Sequence, residues 1–444
     1  MLVEGFAIPI EHTALHPASG SGEGLTGEYF SSPDLSGTPV LTRNDRNVNF
    51  NWDKVVPVNG LQRNNYSVRW SGSFTPPAPG DYKLGVRANY CYSCENAEGF
   101  RLYLDGKLLV ESGGQTTGQE GAVIEAPVTF SDTKPYPIRL EYFHKTGTAG
   151  IDLTWQAPAA VLRDEAVEAA KESEVTIAFV GLSPSLEGEE MPVKLAGFSG
   201  GDRTSIDLPA AQEDLLKALA ATGKPLVVVL QNGSALAVNW AQRHAAAILE
   251  AWYPGEEGGR AIAETLLGLN NPGGRLPVTF YASLEQLPPF TDYSMHNRTY
   301  RYFGGKPLYG FGYGLSYSTF EYSNLKLSSP QLNAGDDLTV EVDLRNTSEL
   351  AGDEVAELYL EFPSVPGAPR LALRGFQRLH LAPGETRHIN CTLKARDLSM
   401  VNDKGERVVA PGEYNVFVGG GQPSEAPAGV RAKLEITGEL KLPK

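Results

Sequence analysis

The stretch Pro225-Leu-Val-Val-Val-Leu-Gln-Asn-Gly-Ser234 decides how the middle of the chain folds. Its apolar run is too short for a helix and is closed by Gln-Asn-Gly-Ser, so it predicts a strand buried on both faces, as in parallel sheets. Val175-Thr-Ile-Ala-Phe-Val180 and Ala246-Ala-Ile-Leu-Glu-Ala251 read the same way. Between the first two runs lies the amphipathic segment Ala210-Ala-Gln-Glu-Asp-Leu-Leu-Lys-Ala-Leu219, with Pro209 at its start and Gly223 beyond its end. That punctuation suits a helix. Strand, helix and strand in this order predict an open α/β sheet with right-handed crossovers over residues 159–324.

Outward from this segment the period changes to two. Tyr66-Ser-Val-Arg-Trp-Ser-Gly-Ser-Phe74, Asp81-Tyr-Lys-Leu-Gly-Val86 and Gly99-Phe-Arg-Leu-Tyr-Leu104 alternate, and Asp105-Gly106 is a tight hairpin turn before Lys107-Leu-Leu-Val110. Residues 24–158 therefore read as a β-sandwich, joined through the flexible Ala18-Ser-Gly-Ser-Gly-Glu-Gly24. After about Leu325 alternation returns in Leu338-Thr-Val-Glu-Val-Asp-Leu344, Glu354-Val-Ala-Glu-Leu-Tyr-Leu360 and Gly412-Glu-Tyr-Asn-Val-Phe-Val418, which predicts an immunoglobulin-like sandwich over 325–444. A chain of 444 residues accommodates these domains, and 48 Gly with 31 Pro agree with its many turns.

A formal net charge of -15 argues against nucleic acid and anionic membrane as partners, since both call for a basic face. No apolar run reaches bilayer length, and the first residues lack the basic start and apolar core of a signal peptide. The chain has three cysteines, too few for a disulfide framework; Cys91-Tyr-Ser-Cys94 is either one local bridge or two free thiols. The seven histidines show no metal-ligand spacing, so no metal and no cofactor are expected.

Ligands of open α/β sheets bind beyond the carboxyl ends of the strands. Three loops leave that edge: residues 181–208, carrying Glu187, Glu189, Glu190 and Asp202-Arg203; Gln231-Asn-Gly-Ser234; and Trp252-Tyr-Pro-Gly-Glu-Glu257. Carboxylates, amides and an aromatic face on one rim suit a polyhydroxylated ligand. Crowded carboxylates disfavour each other's ionisation, which keeps one protonated, as a general acid must be. The competing reading is a solvated acidic loop. Gly310-Phe-Gly-Tyr-Gly314 lacks the strand and helix of a phosphate loop and reads as a turn, and His296-Asn-Arg-Thr-Tyr-Arg-Tyr302 reads as packing between domains.

Four stretches carry a resemblance: Trp252-Tyr-Pro-Gly-Glu-Glu-Gly-Gly259, Asn271-Pro-Gly-Gly-Arg-Leu-Pro-Val-Thr279, Arg298-Thr-Tyr-Arg-Tyr-Phe303 and Pro307-Leu-Tyr-Gly-Phe-Gly-Tyr-Gly-Leu-Ser-Tyr317. They resemble the C-terminal α/β sandwich of glycoside hydrolase family three, the β-glucosidases and β-xylosidases. Residues 325–440 resemble that family's fibronectin type III-like domain. Residues 24–158 resemble the protective-antigen-type sandwich that some members insert, which would make 1–23 a residual segment of the α/β domain plus linker. In the family's Glu-x-Glu-Gly-x-Asp-Arg motif the second Glu is the general acid/base, which favours Glu189, with Glu187 second. Asp202, Arg203 and Trp252 would contact substrate. About a dozen residues, Glu190 to Gly201, separate the glutamates from Asp202-Arg203 here, where the motif has almost none.

The resemblance places the nucleophile, an Asp, on a (β/α)8 barrel that these residues do not contain. It implies the C-terminal part of a retaining β-glycosidase, partnered by that barrel on the same gene or as a split subunit, acting on β-linked oligosaccharide or glycoside in a periplasmic or extracellular setting. The isolated chain would be inactive or nearly so, and an α/β sheet lacking strands would leave apolar surface exposed. Two other classes compete. A lectin-like protein would hold glycan on the 24–158 sandwich, although the adjacent aspartates of a calcium site are missing around Asp105; a purely structural module would leave the glutamate-rich loop without a role.

Overall fold

The computed structural model describes residues 7–52, 55–88, 98–112, 123–184, 186–188, 190, 195–425 and 429–443. Cys91, Cys94 and Glu189 lie outside them. The chain divides into two compact units, Met1–Thr176 with Asp214–Pro225, and Ile177–Glu213 with Leu226–Lys444. The division runs inside the α/β segment.

The first unit is built on a β-sandwich. One sheet runs Ile8–Pro9, Gly150–Gln156, Gly80–Ala88, Val123–Phe130, and the other Leu41–Asp45, Leu25–Phe30, Tyr66–Phe74, Tyr136–His144, Glu98–Leu104, Lys107–Ser112. Alternation along Tyr66–Phe74 turns Tyr66, Val68, Trp70 and Phe74 into a core they share with Tyr29, Tyr82, Tyr142 and Trp155. The buried Asp45 in this core accepts from Tyr29 Oη at 2.6 Å, Trp70 Nε1 at 2.8 Å and Arg43 Nε at 2.6 Å, so its charge is met on several sides. At the predicted hairpin Asp105 and Gly106 both take positive φ, 50° and 74°, the sign that two-residue turns between twisted strands require. Residues 8–17, within the segment 1–23 expected to be residual α/β domain and linker, pair with sandwich strands. Ile8–Pro9 pairs with Trp155 and Thr154, Leu15–Pro17 pairs along Tyr66–Phe74, and Ile10 and Leu15 sink into the core.

In the second unit Thr176–Gly181, Leu226–Gln231 and Ala247–Glu250 form a sheet in that order, the last two parallel with Val228 opposite Ile248. Leu226, Val228, Val229 and Leu230 are buried, as their apolar run predicts. The edge strand differs from expectation. Ile177 and Phe179 stand 46% and 54% exposed, on the face of this strand opposite the buried Ala178 and Val180. Pro209 precedes helix Ala210–Ala220, and Gly223 follows it at φ 77°. No helix among the described residues is long and apolar enough to cross a membrane.

Beyond residue 319 two further sheets face each other, Phe320–Leu327, Leu338–Asn346, Thr386–Leu393 against Gln331–Asn333, Val430–Thr437, Gly412–Gly419, Gly352–Glu361, Leu371–Leu381. Leu338, Val340, Val342 and Leu344 point inward from one sheet, Leu358, Val416 and Leu434 from the other. The 296–302 segment packs on this sandwich: Tyr300 stacks on Phe311 at 4.4 Å, meets Tyr359 edge-on at 6.1 Å and accepts the Leu373 amide at 3.1 Å. The 310–314 segment is a turn, with Gly312 at φ 81° so close to Glu357 that an added Cβ would lie 2.4 Å from its carboxylate.

Candidate functional site

Three strand ends build the rim. Gly181 closes the edge strand at φ 137°, and a Cβ there would fall 2.0 Å from the Gln231 carbonyl, so only glycine lets the two strand ends meet. Gln212 holds this junction. Gln212, buried, accepts the Gly181 amide at 2.7 Å and donates to the Gly181 carbonyl at 2.8 Å. The Leu208-Pro-Ala-Ala-Gln212 stretch thereby fixes where the glutamate loop departs from the sheet.

That loop is anchored at both ends. Leu186 is fully buried, and a Cβ on Gly201, at φ 90°, would lie 1.6 Å from the Gly188 carbonyl. The extra residues therefore leave from Gly188 and return to it, which restores Arg203 to the neighbourhood of Glu187. The Glu187 carboxylate accepts from Ser234 Oγ at 2.5 Å and from Tyr253 Oη at 2.7 Å. Arg203 donates through Nη1 to Ser234 Oγ at 2.9 Å and the Ala235 carbonyl at 3.1 Å, and through Nη2 to the Asp207 carbonyl at 3.2 Å. Burial lowers the Arg203 pKa, opposed by Glu187, Asp207 and Tyr253. Burial, together with the bond to Glu187, raises that of Tyr253.

The sequence-predicted residues distribute unevenly. Glu187 and Arg203 come together on this rim. Trp252 follows the third strand at φ 54°, its ring edge-on to Phe280 at 5.9 Å, and its neighbour Tyr253 reaches Glu187. Asp202 is exposed, in a two-residue strand paired with Phe198–Ser199. Glu190 is exposed at φ 51°. Glu189 is outside the described residues.

Sequence reasoning missed Ser234 and Tyr253 as partners of Glu187, and it missed Glu250. This carboxyl ends the third strand, accepts the Trp252 amide at 3.1 Å and takes Asn232 Nδ2 at 3.4 Å, while Asn232 Nδ2 also reaches the Ser234 carbonyl at 2.9 Å. The available signal was one acid inside the apolar run Ala-Ile-Leu-Glu-Ala. Burial pushes Glu250 up to about 7 against those two donors. A carboxyl raised from 4.5 binds a proton in the folded chain that the unfolded chain has released. Its contribution is therefore full below pH 4.5, falls as pH rises through the window to about 7 and is flat above. The expected size is roughly 1–3 kcal/mol for this half-buried group. Glu357, also pushed up to about 7 by burial, titrates in the same window. Thermal melts of Glu250→Gln from pH 4.5 to 7.5 should show a shallower fall than the parent; identical slopes would exclude Glu250 from the transition.

The rim thus sets the Glu187 carboxylate, the Ser234 and Tyr253 hydroxyls, the Asn232 amide and the raised Glu250 carboxyl around the strand ends. The glycosyl hydrolase family 3 C-terminal domain pattern matches residues 40–317, and the fibronectin type III-like domain pattern matches 354–422. A xylan 1,4-beta-xylosidase of Xylanibacter ruminicola is 35% identical over 402 residues, 89% of this chain and 45% of that protein. A beta-glucosidase of Rhizobium radiobacter is 31% identical over 430 residues, 90% of this chain and 50% of that protein. The crystal structure of a beta-glucosidase from Kluyveromyces marxianus in complex with glucose superposes with a TM-score of 0.65 at 25% identity, covering 99% of this chain and 53% of that one. The chain spans about half the length of the relatives it matches.

Proposed function

Because the chain belongs to glycoside hydrolase family 3, we propose that it is the part of a retaining β-glycosidase that supplies the general acid/base, acting on terminal β-linked glucose or xylose. The observation that carries this reading is the glutamate loop itself, seated at the carboxyl ends of parallel strands and tied down at Glu187 by Ser234 and Tyr253. With both Glu187 oxygens accepting hydroxyl protons and Arg203 close by, that side chain is held as an anchor of the loop. Glu189, two residues on, is then the proton donor to the leaving glycosidic oxygen and Glu187 its positioning residue.

Retention needs a second carboxylate about 5 Å from the first, to attack the anomeric carbon. We place it on a segment outside these 444 residues, the barrel of the family or a separate subunit. Glu189 protonates the departing oxygen as the nucleophile bonds to the sugar, then takes a proton from the water that releases it.

Hydrolysis of a chromogenic aryl β-glucoside and β-xyloside tests this, with the chain alone and combined with a barrel segment bearing the nucleophile. Turnover is expected only in the combination, since removing the nucleophile removes the covalent route. Turnover by the chain alone would overturn the assignment of the nucleophile elsewhere, and glycan binding without turnover in any combination would favour the lectin-like reading.

A further inference from the structure

A cavity of about 650 Å³ opens within the second unit, where the 279–307 segment meets the sandwich. It shares no residue with the glutamate rim described above. Its volume lies in the range of small-molecule sites.

One wall is a row of planar polar side chains on neighbouring strands. Glu361 ends Gly352–Glu361, Asn415 stands opposite it on Gly412–Gly419, and Arg431 comes from Val430–Thr437. Asn415 Nδ2 donates to Glu361 Oε2 at 3.1 Å, and Arg431 Nη1 lies 3.9 Å from Glu361 Oε1. Arg431 is steadied by the Phe417 ring beneath it at 5.3 Å and by the Pro423 carbonyl at 3.0 Å. A carboxylate, an amide and a guanidinium are thus set side by side before any ligand arrives. Tyr300, Phe303 and Pro307 also line the cavity, the Tyr300 ring being stacked on Phe311.

The charge of the lining narrows the ligand. Glu361 and Glu425 face Arg370 and Arg431, two of each sign, so the cavity favours neither an anion such as phosphate nor a cation. An all-apolar ligand would strip water from these groups without replacing its hydrogen bonds. A peptide added as a strand has no edge to join, because Gly352–Glu361 and Gly412–Gly419 are both paired on each side. Planar groups that donate and accept side by side match the vicinal hydroxyls of a sugar, and Pro307 and Phe303 in the lining supply apolar surface for its C–H groups.

We propose that this cavity is an accessory binding site for a neutral oligosaccharide, separate from the glutamate rim. The β-linked class of that sugar rests on the function proposed above; the cavity itself does not. Such a site would hold a polymer on the sandwich while a chain end is processed elsewhere.

Isothermal titration of the whole chain with xylotetraose and with cellotetraose tests the proposal and needs no turnover. Binding by the parent chain is expected for at least one of them. Arg431→Ala should weaken it about tenfold, the loss of one or two hydrogen bonds. Ser364→Trp, at an exposed loop position on the cavity wall, should block it while leaving the polar row intact. Absence of binding to the parent chain, or equal affinities in the parent and both variants, would overturn the proposal whatever the hydrolysis assay returns. Turnover in the combination with no oligosaccharide bound at this cavity sinks this inference alone, and binding there with no turnover even in the combination with the nucleophile-bearing segment sinks only the hydrolytic reading.

Discussion

Glu189→Gln is expected to lower kcat on an unactivated β-glycoside by roughly 10²–10⁴-fold in the chain combined with its nucleophile-bearing segment, the ordinary loss on removing a general acid. The expectation rests on the neighbours of Glu189. Leu186 is locked in the core, Glu187 is held from two sides and Gly188 is closed by Gly201, so the described residues just before Glu189 are fixed. Glutamine keeps the shape and removes the proton. A leaving group of low pKa departs without protonation, so the same variant should retain most of its glycosylation rate on a 2,4-dinitrophenyl glycoside. Glu187→Gln behaves differently. Its amide nitrogen would face the Ser234 or Tyr253 hydroxyl in place of an acceptor, loosening the loop, and both substrates should slow alike. If Glu189→Gln slows both alike and Glu187→Gln shows the dependence on leaving group, the two roles are exchanged.

The sheet was legible where the sequence is locally decisive. Pro225–Leu230 reads as a strand because its apolar run is short and bounded, and Leu226–Gln231 is that strand displaced by one residue. The sequence of Val175–Val180 is as apolar, yet Ile177 and Phe179 are exposed, because periodicity reports what a strand could bury and not whether a second layer covers it. The rim was legible in its loops and not in its bonds. Nothing local announces that Arg203 will meet Ser234 some thirty residues on, or that Glu250 will accept the amide of Trp252, itself at positive φ. The inserted residues looked like a break in the motif; Gly201 against Gly188 makes them an excursion that returns to its start.

Arg275→Ala should be the most destabilising single substitution in the second unit, by about 3–5 kcal/mol. Arg275 belongs to Asn271-Pro-Gly-Gly-Arg-Leu-Pro-Val-Thr279, a stretch that carries the family resemblance, and its side chain is only 8% exposed. Its Nη2 lies 2.5 Å from Glu354 Oε2, itself 5% exposed, while Nε donates to the Gly420 carbonyl at 3.2 Å and Nη1 to the Gly274 carbonyl at 3.0 Å. Tyr322 donates to the other Glu354 oxygen at 2.8 Å. Removing the cation leaves a buried carboxylate with only the Tyr322 hydroxyl and the Val355 backbone as donors, and Glu357 nearby adds like charge. Burial already raises the Glu354 pKa against Arg275, so without Arg275 it rises further, and protonation becomes the cheaper escape. The deficit should therefore be largest near pH 8 and narrow toward pH 5, opposite to the loss of an exposed ion pair on acidification. In melts at pH 8 the transition of this unit should fall by roughly 10 °C. Arg275→Met with Glu354→Leu should recover most of that fall, since the pair is replaced by apolar volume and no charge is left behind. A single-variant loss under about 1 kcal/mol, or a deficit that grows on acidification, would show that this ion pair does not fasten the motif to the sandwich.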